Sequence, residues 1–201
     1  MSTALIALRL TDSLPDIQAD YIGADAGALV LAKKKKRMVL AVGDFDSVSD
    51  EEMNLIREYA DKVIVLNPIK DDTDSESALN HVLELGYDHI VMCGALGRRE
   101  DHSLVNLRLV YKHPGVLSLY DQNNLIEAYE EGTYTFAKDE WKYISFFTFA
   151  HAVITLENMK YPLDHRTLTP EDLYTLSNEI TEEEGILHVL EGKVLVIRSH
   201  D

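Results

Sequence analysis

Up to Tyr120 the chain alternates short apolar runs with segments of helical spacing. That rhythm restricts it to a sheet built from parallel βαβ units. The runs are Ala4–Leu8, Tyr21–Ala24, Met38–Val42, Lys62–Leu66, His89–Cys93 and Val116–Tyr120. Between them, Met53, Leu55, Ile56 and Tyr59 form a helical stripe behind Ser49 or Asp50 as cap. Ala78, Leu79, Val82, Leu83 and Leu85 form another, stopped by Gly86, and Leu104, Val105, Leu107, Leu109 and Val110 a third, stopped by Pro114-Gly115. A further helix opens near Asp25 and ends in the solvated tract Lys33–Lys36. Such a sheet gathers the carboxyl ends of its strands on one edge, where open α/β folds bind ligands.

After the turn signal Asn123-Asn124 the pattern becomes a series of short β-like runs: Leu125–Tyr129, Gly132–Phe136, Tyr143–Phe149, Val153–Leu156, Ile186–Leu190 and Lys193–Ile197. Gly132 and Glu191-Gly192-Lys193 read as hairpin turns. Only Thr169–Leu176 reads as helical there, with Thr169 as cap and Pro170 at the first helical position. The sequence therefore predicts an α/β domain with a mostly parallel sheet over residues 1–122. A small all-β domain, sandwich or barrel-like, follows over residues 123–201.

Charge narrows the partners. A net charge of −16 argues against a nucleic-acid backbone or an anionic membrane as binding surface. No apolar run approaches the roughly 20 residues of a membrane span, and Met1–Leu5 lacks the basic start of a signal peptide. The single cysteine, Cys93, sits in an apolar run and reads as a buried small hydrophobe. These features predict a cytoplasmic protein. The histidines show no zinc-ligand spacing.

Three acidic clusters follow three of the apolar runs: Gly43-Asp44-Phe45-Asp46-Ser47, Lys70-Asp71-Asp72-Thr73-Asp74 and Gly94-Ala95-Leu96-Gly97-Arg98-Arg99-Glu100-Asp101-His102. Crowded carboxylates repel unless a cation sits between them. Magnesium suits the role, since it takes one or two carboxylates and fills its other positions with water and phosphate oxygens. In the third cluster a Gly94…Gly97 turn presents backbone N–H groups to an anion, and Arg99 adds a bidentate contact. Asp101 is either the cap of the next helix or a metal ligand, and His102 and Asn106 share one face of that helix. Taken singly, the first two clusters are equally well read as ordinary caps and helix-start acids.

In this order, with Ala24-Asp25-Ala26-Gly27-Ala28 ahead of them, the motifs resemble those of the thiamin pyrophosphokinase family. A looser match continues through Lys160-Tyr161-Pro162-Leu163 and Ser177-Asn178-Glu179. The resemblance implies an α/β catalytic domain followed by a β domain, acting as a homodimer. It implies transfer of pyrophosphate from ATP to the hydroxyl of thiamin, with magnesium, giving thiamin diphosphate and AMP. It further implies that Asp44, Asp46, Asp71, Asp74 and Asp101 are the metal and phosphate-site acids, with Asp25 beside them. Arg99 and the Gly94–Gly97 loop would hold the triphosphate, next to His102 and Asn106, and Asp71 or Asp101 would accept the alcohol proton. Ser177 and Asn178 would form the thiamin side, facing the partner subunit.

Three departures stand out. Arg98 replaces a glycine usual before the motif arginine, Asn158-Met159 stands where Gly-Leu is usual, and the glycine common after the first strand is missing from Ala7–Thr11. Two rival readings are a haloacid dehalogenase-like phosphatase, on the strength of Asp44-Phe45-Asp46, and a nucleotide-sensing module without turnover. The first normally carries its Asp-x-Asp on the first strand, whereas two strand signals precede it here.

Overall fold

A computed structural model describes residues 2–67 and 72–201. The chain divides into two compact units: residues 1–106 with 119–121, and residues 107–118 with 122–201. The first holds strands β1 (Thr3–Ala7), β2 (Asp20–Ala24), β3 (Met38–Gly43), β4 (Ala60–Val65) and β5 (His89–Cys93). They form a parallel sheet in the order β5-β1-β2-β3-β4. Helices α1 (Ala26–Lys33), α2 (Asp50–Tyr59) and α3 (Asp74–Glu84) supply the crossovers.

Local chemistry sets these elements. The central strands are continuous apolar runs because both faces are covered: Leu5, Ile6 and Ile22 are wholly buried. Ser49 and Glu52 make a reciprocal capping box at the start of α2, and Thr73 caps α3 by accepting from the Glu76 N–H. Gly86, at φ 81, ends α3 as its sequence signal indicated. Gly23 admits the close approach of α1, since a Cβ there would lie 2.3 Å from the Ala28 Cα. Helix α4 (Glu100–Lys112) gives its residues through Asn106 to the first unit and the rest to the second; β6 (Leu117–Tyr120) is likewise shared.

The second unit is antiparallel, with β7 (Asn124–Ala137), β8 (Tyr143–Phe147), β9 (Ala152–Glu157), β10 (Leu163–Leu168) and β11 (Glu184–Ser199). Strand β11 pairs with β7 from Glu184 to Ser199. On its other edge it pairs with β9 over Ile186–Gly192 and then with β8 over Leu195–Ser199. A strand that changes partner at a bend is how a β-sandwich turns its corner. Phe146, Ile154, Leu156, Leu187 and Val194 are the buried centre of this unit.

Two local readings are corrected. Gly132 and Gly192 are not hairpin turns; they lie within the long strands β7 and β11, whose register slips between Val189 and Lys193. Gly192, at φ 78, also passes so close to β9 that a Cβ would sit 2.1 Å from the His151 carbonyl oxygen. Residues 169–176 form no helix. Thr169 there receives no helical turn, but donates its N–H and hydroxyl to Asp172 Oδ2, closing a single turn with the same residue types that cap helices. Among the described residues no helix is long and apolar enough to cross a membrane.

Candidate active site

The first acidic group forms because β2 and β3 end together. Ala24 pairs with Val42, and the ladder continues one residue further as the Asp25 N–H donates to the Val42 carbonyl at 2.8 Å. Gly43 makes this possible through space: a Cβ on it would lie 2.7 Å from the Asp25 Cα. The chain leaves β geometry two residues later, at Phe45, with φ 55. Its N–H donates to Asp25 Oδ1 at 3.1 Å, and the Asp46 N–H donates to Asp44 Oδ1 at 3.1 Å. The result is a trio, Asp25, Asp44 and Asp46, with carboxylate oxygens within 4.8 Å of one another. Asp25 is buried and itself sits at φ 49. Such left-handed non-glycine residues are held by their surroundings and gather at functional sites.

Oxygen-only, triply anionic donors of this kind suit magnesium, so the residues present fit the cation. Among the described residues the convergent group comprises Asp25, Asp44 and Asp46 and does not include Asp74 or Asp101. Asp71 lies outside the described residues.

A cavity of about 410 Å³ opens beside Asp25. Asp74, Gly94, Gly97, Arg99, His102 and Asn106 all line it, as do Ser75 and Arg98. The loop after β5 is shaped by Gly94 at φ 72 and Gly97 at φ 87, and by Arg98 at φ 64, an arginine in a conformation that favours glycine. Gly94 also fits against the first strand's loop, where a Cβ would lie 2.3 Å from the Thr11 N. Ser103 on α4 ties the loop down, accepting from the Gly97 N–H at 3.1 Å. Asn106 donates to the Ala95 carbonyl and accepts from the Ser75 hydroxyl, both at 2.7 Å, so loop, α3 and α4 share one buried amide.

Asp101 is not the cap of α4, because the helix already includes Glu100. It receives two donations from Arg99, at 3.2 and 2.6 Å. That guanidinium holds the Asp101 carboxyl below the usual carboxylate range. Cys93, by contrast, is buried at the end of β5, and burial raises its thiol to about 12, so it is no nucleophile.

Ser177 and Asn178 lie in the second unit. Asn178 is buried and internally satisfied: Oδ1 accepts from the Tyr161 N–H at 2.9 Å and the Glu179 N–H at 3.0 Å, while Nδ2 donates to the Tyr161 carbonyl at 2.9 Å. Its side chain thus fixes the Tyr161 backbone. Ser177, at φ 56, donates its N–H to Ser145 Oγ at 2.9 Å.

Sequence reasoning missed Arg9. It lines the cavity, and its Nη2 donates to Ser47 Oγ at 2.5 Å and lies 3.5 Å from Asp25 Oδ2. No motif signals a pairing formed across three different loops.

Residues 16–119 match the family model described as "Thiamin pyrophosphokinase, catalytic domain", and residues 133–193 match "Thiamin pyrophosphokinase, vitamin B1 binding domain". A Thiamine pyrophosphokinase of Bacillus subtilis (strain 168) is 36% identical over 189 residues, which is 90% of this chain and 87% of the relative. Among solved structures, a thiamine pyrophosphokinase from Bacillus subtilis superposes with TM-score 0.86 at 30% identity, both chains covered in full. A thiamin pyrophosphokinase family protein from Enterococcus faecalis gives TM-score 0.88 at 31% identity, again over all of both chains. The thiamin pyrophosphokinase from Candida albicans, at 15% identity and TM-score 0.82 over all of this chain and 89% of its own, shares the fold. With both models matched in order and a relative at this identity across nine-tenths of its length, the chain belongs to the thiamin pyrophosphokinase family.

Proposed function

We propose that the protein transfers pyrophosphate from ATP to the hydroxyl of thiamin, yielding thiamin diphosphate and AMP. The observation that carries this reading is the cavity lined both by Asp25, the buried member of the acidic trio, and by an arginine-bearing, glycine-shaped loop, in a chain of this family. Asp25, Asp44 and Asp46 hold magnesium, with Asp74 and Asp71 on the nucleotide side. When bound there, magnesium neutralises phosphate oxygens and aligns donor with acceptor. The Gly94–Gly97 backbone, Arg99 and the first turn of α4 bind the phosphates, and His102 and Asn106 border them. Most of the rate comes from this positioning and charge compensation, because the reaction asks for little other covalent help from the protein.

The alcohol proton passes to a carboxylate, Asp71 or Asp101. While Arg99 grips it, Asp101 is a weaker base than an ordinary carboxylate, since its carboxyl is held low. Ser177 and the Tyr161 segment that Asn178 secures form the thiamin side. We place that side against the phosphate residues of a second subunit in a homodimer, working in the cytoplasm.

The decisive experiment incubates purified protein with ATP, magnesium and thiamin and quantifies all products. Thiamin diphosphate and AMP in equal amounts are expected. ADP with thiamin monophosphate rejects the reaction, free phosphate alone restores the phosphatase reading, and binding without turnover restores the sensing module.

A further inference from the structure

Arg9 stands on the loop after β1, two residues beyond the strand's end at Ala7. Its placement is not accidental slack in a mobile loop. The Leu8 N–H donates to the Cys93 carbonyl at 3.0 Å, the Thr11 N–H donates to the Leu8 carbonyl at 3.1 Å, and Thr11 Oγ1 donates to the same Cys93 carbonyl at 2.9 Å. Both sides of Arg9 are thereby pinned to the end of β5. From that base the guanidinium reaches Ser47 and Asp25 at once. Asp25 is the buried member of the trio, with its side chain only 12% exposed, whereas half of the Arg9 side chain is in solvent. A buried carboxylate facing two others is unfavourable without a counter-charge. Arg9 is the cation that this chain places there.

We infer that Arg9 is a built-in counter-cation of the Asp25–Asp44–Asp46 trio, holding Asp25 in place until a divalent cation displaces it. The inference rests on the trio being the divalent-cation site. Arg9 is a positioning residue in this scheme: it acts through Asp25 and competes with the metal for the same carboxylate. Two cations cannot share one carboxylate edge without mutual repulsion, so the guanidinium must withdraw as the metal enters. Its long side chain is exposed enough to do so, and Ser47, on the loop that carries Asp44 and Asp46, offers it a neutral foothold. The consequence is a site whose affinity for bare divalent cation is lowered, so that metal arrives chiefly together with a polyanionic nucleotide able to compensate the displaced guanidinium.

The test uses full-length protein without nucleotide, with Mn2+ as a paramagnetic probe titrated by electron spin resonance. Arg9→Met removes the charge, and Arg9→Gln removes it while keeping a donor for Ser47. In both, Mn2+ should bind roughly three- to tenfold more tightly than in wild type, and Arg9→Lys should stay near wild type. The metal-free melting temperature should fall in Arg9→Met, and saturating Mn2+ should raise it by more than in wild type. A merely structural arginine would weaken or leave unchanged the metal affinity when removed, and that result overturns the inference. Failure of wild type and both neutral variants to bind Mn2+ also overturns it, because the trio is then no cation site. The product assay above is independent of either outcome and speaks only to the reaction.

Discussion

The side-chain amide of Asn106 donates to the carbonyl of Ala95 across 2.7 Å, joining α4 to the loop that follows β5. Asn106 is buried, and its oxygen also receives the Ser75 hydroxyl. Replacing it removes the amide donor from the buried Ala95 carbonyl and leaves the Ser75 hydroxyl with Thr73 Oγ1, 3.0 Å away, as partner.

Asn106→Ala should therefore cost about 1–3 kcal/mol of stability and raise KM for ATP, because the loop loses its anchor to both helices. Urea unfolding alongside steady-state kinetics would check both. Unchanged stability would show that water replaces the amide without cost.

Arg98→Gly should do the opposite to stability. Arg98 holds φ 64, a conformation that costs a residue with a Cβ roughly 1 kcal/mol and glycine almost nothing. The variant should gain up to about 1 kcal/mol, partly offset by glycine's greater freedom when unfolded, while KM for ATP rises as a cavity-lining cation is lost. A denaturation midpoint that falls would contradict the strain argument.

Asp46→Asn and Asp74→Asn preserve shape and remove charge. Thiamin diphosphate formation should drop by orders of magnitude in both, while the metal-free melting temperature holds or rises in Asp46→Asn, since repulsion within the trio is relieved. Near-normal turnover in both would return these residues to service as turn and cap acids.

Acid sensitivity should reveal the Arg99–Asp101 pair. The folded-state carboxyl of Asp101 is held low, so its contribution is fully present above the ordinary unfolded value of about 4 and is lost as pH falls through the lowered one. The stability difference between wild type and Asp101→Asn should be flat from neutrality down to about pH 5 and shrink below about pH 4. Measured chemical unfolding across that range decides it; a difference that grows on acidification contradicts the pairing. Both side chains are about two-thirds exposed, so the effect is small and fades with salt.

A shared active site predicts complementation. Asp46→Asn disables the phosphate side, and Asn178→Ala loosens the Tyr161 segment of the thiamin side. Mixing the two inactive variants and re-forming dimers should restore up to about a quarter of wild-type activity, as half the dimers are mixed and each carries one intact site of two. No recovery after demonstrated exchange would place the whole site within one chain.

The parallel half of the fold was legible because each of its signals is local. Ser49-x-x-Glu52 announces its own capping box, and Ile90–Cys93 is an unbroken apolar run in a strand that is mostly buried. Residues 169–176 misled because Thr169, Pro170 and Asp172 satisfy a lone turn with the same chemistry that starts a helix. Gly192 misled because a glycine that bends a strand and one that reverses it look alike until the partner strand is seen. The acids of the site were legible as a set, but not which of them meet: Asp25 joins Asp44 and Asp46 only because β2 and β3 end in register. Asn158, at φ 59, and Arg98, at φ 64, hold left-handed backbone that favours glycine, and nothing in the structure explains why side chains stand at these two positions.

The pairing of β7 with β11 also orders events during synthesis. Its register couples Ala137 to Glu184 and Asn124 to Ser199, so the first of these strands waits while everything between them is made. By contrast, the first unit has all its strands once Asp121 has emerged. The nucleotide half can thus acquire its acidic trio while the vitamin-binding half is still nascent, and until β11 arrives β7 is an unpaired edge that a chaperone or a neighbouring nascent chain would meet first.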